Sequence, residues 1–224
     1  MFKGLLAAAT VAASALPGGA AEAAQVLRFQ DSNCSTSDCI ISQSFGDSVG
    51  VDVSYRSLIA SSGVTHNDFL KYWGPGYGDL PGVAWGGANR VDTASEVKLT
   101  AAAGYKISLI DFDFATYAGR SVTTPFTVLD LSGKVLTTFT GNTAWPKHSH
   151  ATINTDYLEG VILRWGPDGY EVGVNNLQFD VKQVAGAVPE PGAWALMITG
   201  FAGVGAVLRR RRATAFSATL RAAG

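Results

Sequence analysis

Two aspartates spaced two apart, Asp111 and Asp113, and two histidines at the same spacing, His148 and His150, are the residues of this chain best arranged for chemistry. On a strand, an i, i+2 pair presents both side chains to one face. The aspartates could then share a cation or a proton, and the imidazoles could hold two corners of a zinc site. Phe112 and Phe114 occupy the alternate positions, however, so the aspartates read as the solvated face of a strand whose other face is aromatic. His66 is the only other histidine available to complete a zinc set. No metal ligand is assigned.

Hydrolysis of a glycoside needs two carboxyl groups at a set separation across the sugar. Glu96, Glu159 and Glu171 offer many arrangements and single out none. A Gly-x-Ser-x-Gly elbow, a phosphate loop and a dinucleotide fingerprint are all absent from the sequence. No catalytic residue is assigned, and the expected role is non-catalytic.

Binding chemistry is better represented. Tyr72, Trp73, Tyr77 and Trp85 fall in a Gly- and Pro-rich stretch, where aromatic faces could stack on sugar rings while Asp79 or Asn89 bonds hydroxyls. Trp73, Tyr77 and Trp85 are the glycan-stacking candidates; the competing account is that these rings plug the open end of the fold. No cofactor is assigned; the domain loosely resembles jelly-roll carbohydrate-binding modules, in which a structural calcium joins the first and last strands, and that resemblance would make Asp31, Asn175 and Asp180 its oxygen ligands, though the sequence does not place them together. Cys34 and Cys39, the only cysteines, flank Ser, Thr and Asp, and are expected to form a local disulfide in an exported protein.

The elements that must position these residues are strands. Gln25–Gln30, Ser48–Tyr55, Glu96–Thr100 and Tyr105–Ala115 carry strand patterning. Phe126–Asp130 and Lys134–Phe139 flank Leu131-Ser132-Gly133 as a hairpin, and Gly160–Trp165 and Tyr170–Val181 flank Gly166-Pro167-Asp168-Gly169 as a second. Between residues 57 and 93 the pattern loosens: Thr65 and Asp68 predict one helical turn through Phe69–Tyr72, and Trp73–Gly87 reads as an irregular loop. Seven or eight strands without a βαβ rhythm predict an all-β antiparallel β-sandwich over residues 24–183. A galactose-binding-like jelly roll is the preferred topology, with an immunoglobulin-like sandwich as the alternative.

The two ends read differently. Lys3, an apolar run from Gly4 to Leu16 and an Ala21-Glu22-Ala23 site predict a signal peptide over residues 1–23. Residues 24–188 hold 11 Lys+Arg against 16 Asp+Glu, a net of −5 without a basic stripe, which argues against nucleic acid as a partner. After a linker at 184–188 comes Pro189-Glu190-Pro191, an uncharged stretch over 192–208, and Arg209, Arg210, Arg211 and Arg212. Seventeen residues are at the short end of what spans a bilayer as a transmembrane helix. The arginines would stay in the cytoplasm, leaving the sandwich outside the inner membrane.

Pro189-Glu190-Pro191, Trp194-Ala195-Leu196-Met197-Ile198-x-Gly200-Phe201 and the terminal arginines together resemble the PEP-CTERM sorting domain, in its Trp-Ala-Met-Met-Ile subtype. Residues 189–212 would form that signal, and 213–224 continue past it as a short cytoplasmic extension. The resemblance implies a Gram-negative bacterium that makes exopolysaccharide and a partner, exosortase, acting near the Pro-Glu-Pro triplet. The protein would be anchored in the inner membrane transiently, then displayed at the cell surface or released. The expected whole is thus an exported surface or matrix protein associating with exopolysaccharide. The alternatives are a carbohydrate-active enzyme on the same scaffold and a purely structural adhesion component.

Overall fold

The computed structural model describes residues 24–87, 92–184 and 195–201. Two antiparallel sheets face each other. The first contains β1 (Gln25–Leu27), β4 (Lys71–Trp73), β5 (Val83–Trp85), β7 (Tyr105–Thr116), β10 (Ser149–Thr152) and β12 (Val172–Gln183), in the order β10-β7-β12-β5-β4 with β1 also paired to β12. The second contains β2 (Val51–Ile59), β3 (Thr65–Asn67), β6 (Thr93–Ala101), β8 (Ser121–Asp130), β9 (Val135–Ala144) and β11 (Gly160–Trp165), in the order β3-β2-β6-β11-β8-β9.

The core follows from strand alternation. Val53 and Tyr55 of β2, Val97 and Leu99 of β6, and Phe126 and Val128 of β8 are buried every second residue, and meet Phe112, Phe114, Phe179 and Val181 of the first sheet. Trp165 is fully buried, and its indole N–H donates to the Val172 carbonyl at 2.8 Å, so its one polar atom is satisfied. Phe112, Phe114, Phe126 and Phe139 form a ring cluster with centroids 4.7–6.4 Å apart. Gly141 makes room for it, since a Cβ there would lie 2.6 Å from Phe114 and 2.7 Å from Phe126.

The hairpin around Leu131-Ser132-Gly133 forms as expected, with Gly133 at φ +86° and strands extended to Ser121 and Ala144. The second expected hairpin does not form. β11 pairs with β6 and β8, whereas β12 pairs with β7, β5 and β1, so Gly166–Gly169 carries the chain from one sheet to the other. The reason is long-range: Thr93 donates to the Pro167 carbonyl and Gly169 donates to that of Thr93, so the turn docks on β6 instead of closing a two-strand ladder.

The helical turn expected at Phe69–Tyr72 is also replaced by strand. Leu70 and Tyr72 are buried while Lys71 and Trp73 are half-buried, a period of two, and Lys71 pairs with Trp85. The stretch Trp73–Gly87 is correspondingly less irregular than expected, since it contains β5. The Cys34–Cys39 disulfide, with Cα atoms 5.6 Å apart, sits beside β4. Asp38, Cys39 and Ile41 exchange backbone bonds with Leu70 and Tyr72, covering an edge that would otherwise be open. Residues 195–201 are helical with Leu196, Met197, Ile198 and Phe201 exposed, and among the described residues no helix is long and apolar enough to cross a membrane. The signal-peptide stretch, Asn89, Pro189, Glu190, Pro191 and Arg209 to Arg212 lie outside the described residues.

Candidate functional site

Four connections converge at one end of the sandwich: 74–82, 117–120, 145–148 and 166–171. They are tied to one another directly. Gly78 donates to the Thr116 carbonyl, Trp145 to that of Arg120 and Tyr117 to that of Glu171, and the Arg120 and Glu171 side chains form an ion pair. Asp79 accepts hydrogen bonds from Lys147 Nζ at 3.0 Å, the His148 amide at 2.8 Å and His148 Nδ1 at 2.6 Å. His148 foremost, then Lys147, holds the Asp79 carboxyl well below the usual carboxylate range.

This end is aromatic. Ala84 belongs to the main core, so its neighbours Val83 and Trp85 point to the opposite, outer face of the first sheet. There they pack with Tyr77, Leu80 and Ala115 in a second small core, with Trp73, Tyr117 and Tyr170 against it. The rings meet edge to face: Trp73 lies 5.5 Å from Tyr117 and 6.0 Å from Trp85, Tyr77 lies 5.3 Å from Tyr117, and Trp85 lies 5.5 Å from Tyr170. The buried Tyr77 hydroxyl donates to the Tyr170 carbonyl at 2.8 Å. Burial, with Glu171 nearby, raises its pKa far above the phenol range, so it remains a neutral donor.

Of the three stacking candidates, Tyr77 and Trp85 are buried and offer no free face; Trp73 is half-buried. The open ring surface comes instead from Trp73, Tyr117 and Tyr170, with Trp145, 42% exposed, on the neighbouring turn. Sequence reading missed Tyr117, Trp145 and Tyr170, although each sits within two residues of a Gly or Pro in a turn. Their convergence depends on which turns share an end, and a local pattern does not carry that.

Gly173 of β12 is the hinge of this packing. A Cβ there would stand 2.4 Å from Val83 Cγ2 and 3.2 Å from Tyr77. Gly173→Ala is therefore expected to push β5 outward and destabilise the fold by about 1–3 kcal/mol. Urea unfolding checks the loss, and tryptophan fluorescence would report loosening around Trp85.

The remaining candidates are separated. His150 Nδ1 lies 2.8 Å from Asp113 and its Nε2 lies 4.0 Å from Asp111, so the two aspartates do share the face opposite Phe112 and Phe114. Asn176 donates to the second Asp113 oxygen at 2.7 Å. His148 is turned to Asp79 instead, and His66 lies in β3 of the other sheet. Glu96, Glu159 and Glu171 are each paired with their own cations. The proposed calcium oxygens are not gathered. Asn175 accepts from the Phe29 amide and donates to Gln30, fixing the 3-10 turn Phe29–Asp31 to β12 directly, while Asp180 is bonded by the Tyr157 hydroxyl and Asp31 is exposed. Among the described residues no group of three His, Cys, Asp or Glu side chains is gathered for a metal ion.

No protein-family model and no curated protein matches the sequence. Among solved structures the chain is similar to a family 35 carbohydrate binding module from Clostridium thermocellum, at 14% identity over 73% of this chain and all of that one, with a TM-score of 0.35. It is also similar to the enzymatically active domain of tailspike protein 4 of Bacteriophage CBA120, at 12% identity over 63% of this chain and 20% of that one, TM-score 0.31. A third is an isomalto-dextranase of Arthrobacter globiformis T6 complexed with panose, at 15% identity over 60% of this chain and 24% of that one, TM-score 0.26.

Proposed function

We propose that the protein is an exported, non-catalytic carbohydrate-binding sandwich that associates with polysaccharide at the cell surface or in the extracellular matrix. The observation that carries this reading is the loop end: Trp73 at the end of β4 and Tyr117, Tyr170 and Trp145 on turns locked together by backbone bonds present ring surface. Rings held in this way lose little entropy on stacking against a sugar's C–H face. Asp79 and His148 stand beside them as polar groups already fixed in place. The sandwich is read as a jelly roll because, apart from the β8–β9 hairpin, the strands from β6 to β12 alternate between the sheets.

Delivery is assigned to the tail. The Pro189-Glu190-Pro191 triplet, the uncharged 192–208 stretch and the arginines support sorting through a transient transmembrane helix and processing by exosortase, with the signal peptide of residues 1–23 starting export. Mass spectrometry of the mature C-terminus checks this part: cleavage near the triplet is expected, and an intact chain through Arg212 would mean a permanent anchor.

Glycan-array screening followed by calorimetry tests the binding itself. The full chain is expected to bind a neutral polysaccharide, and Trp73→Ala and Trp145→Ala are each expected to weaken it about tenfold, or about 1.4 kcal/mol. Binding that both variants leave unchanged, or no glycan binding at all, would overturn the reading. Turnover abolished by one carboxylate substitution would place the protein among enzymes instead.

A further inference from the structure

Glu96 is out of place. It alternates with the inward-facing Val97 and so points away from the core, yet its side chain is only 1% exposed. What covers it is a pair of arginines, Arg56 on β2 and Arg164 on β11, its register neighbours on the two flanking strands. Arg56 Nε bonds Oε2, while Arg164 Nε, at 2.6 Å, and Nη2 bond Oε1. Both carboxylate oxygens are thereby used. Among the described residues Arg56 is gripped through Nε alone, which leaves its two Nη groups as a planar end-on fork in a half-exposed side chain.

Arg56 lines a groove of about 530 Å³ on the outer face of the second sheet, together with Lys98, Ser54, Thr100, Ile162 and Leu131. Among the described residues Lys98 forms no ion pair. Of the charged residues that line it, Arg56 and Lys98 stand against Glu96 and Asp68, and Glu96 is in turn shared with Arg164 beside the groove. With both Glu96 oxygens spent on the arginines, the donors that remain among the described residues are the Arg56 Nη groups and Lys98, and a groove that offers them beside hydroxyls suits an anionic ligand.

We infer that this groove is a second binding site, and that it takes the carboxylate of an acidic, uronate-type sugar. The guanidinium fork matches two coplanar carboxylate oxygens, and Lys98 adds a point charge. The Ser54 and Thr100 hydroxyls meet sugar hydroxyls, and Ile162 and Leu131 meet the ring's C–H face. Buried Glu96 serves as the support that holds the arginines in position before the ligand arrives. The site goes beyond the loop-end reading, since it uses the other sheet, a charged ligand and none of the rings.

Calorimetry on the purified full chain tests it with three probes of similar length: polygalacturonate oligosaccharides, dextran and sulfated dextran. Polygalacturonate is expected to bind, more weakly as salt rises. Arg56→Lys, which keeps a charge beside Glu96 but loses the fork, and Lys98→Gln are each expected to weaken it about tenfold. Trp73→Ala is expected to leave it unchanged. Should Arg56→Lys fold poorly by its melting temperature, Lys98→Gln carries the test. Absence of polygalacturonate binding, loss with Trp73→Ala but not with the groove variants, or equal or tighter binding of sulfated dextran would overturn the proposal.

Discussion

Glu96→Ala is expected to cost about 3 kcal/mol in urea unfolding, a large share of the stability of a domain this size. Removing the carboxylate leaves Arg56 and Arg164 side by side across β6 as like charges that have lost their shared partner. Breaking a buried pair in this way costs about 3–5 kcal/mol, and the lower end applies because both guanidiniums reach water and recover part of their hydration. Replacing all three together, Arg56→Met with Glu96→Leu and Arg164→Leu, is expected to come out near neutral, since an apolar trio needs no charge compensation. A Glu96→Ala loss below about 0.5 kcal/mol, within the range of an exposed ion pair, would show that the carboxylate is not the keystone of that face.

Phe126→Ala should cost about 4 kcal/mol, the typical loss for truncating a fully buried ring. Phe126 touches Phe112, Phe114 and Phe139, and is stacked on the last at 5.1 Å. None of these can fill the gap easily, because Gly141 is already pressed against the rings on one side. The effect should appear as a lower urea midpoint with little change in slope, since the surface exposed on unfolding stays similar. A midpoint shift worth less than about 1 kcal/mol would mean that the ring cluster collapses to close the cavity.

What could be read from sequence depended on range. Asp111, Phe112, Asp113 and Phe114 encode their own faces, so the strand and its orientation were legible, and Gly133 marked its turn. The sheet membership of β11 and β12 was not legible. Both are strongly apolar and only the short connection 166–171 joins them, which also describes a hairpin; only the bonds between Thr93 and that connection reveal the crossing. Phe69 to Tyr72 looked helical because a three-residue strand, Lys71–Trp73, gives too little alternation to outweigh a capping pattern. Glu96 was one of three acids without distinction, because its two arginines arrive from 40 residues before and 68 after.

β12 begins beside Tyr170 at the aromatic end and finishes at Gln183, at the opposite end of the sandwich. It is paired along its length with β7 on one side, and with β5 and then β1 on the other. A pull between a ligand held on the rings and the chain beyond Gln183 would therefore run along this strand, at right angles to the hydrogen bonds that hold it. In that shear geometry many bonds must give way together, whereas a strand peeled from an edge loses them one at a time. Along β12 the domain is thus arranged to bear tension between its aromatic end and Gln183.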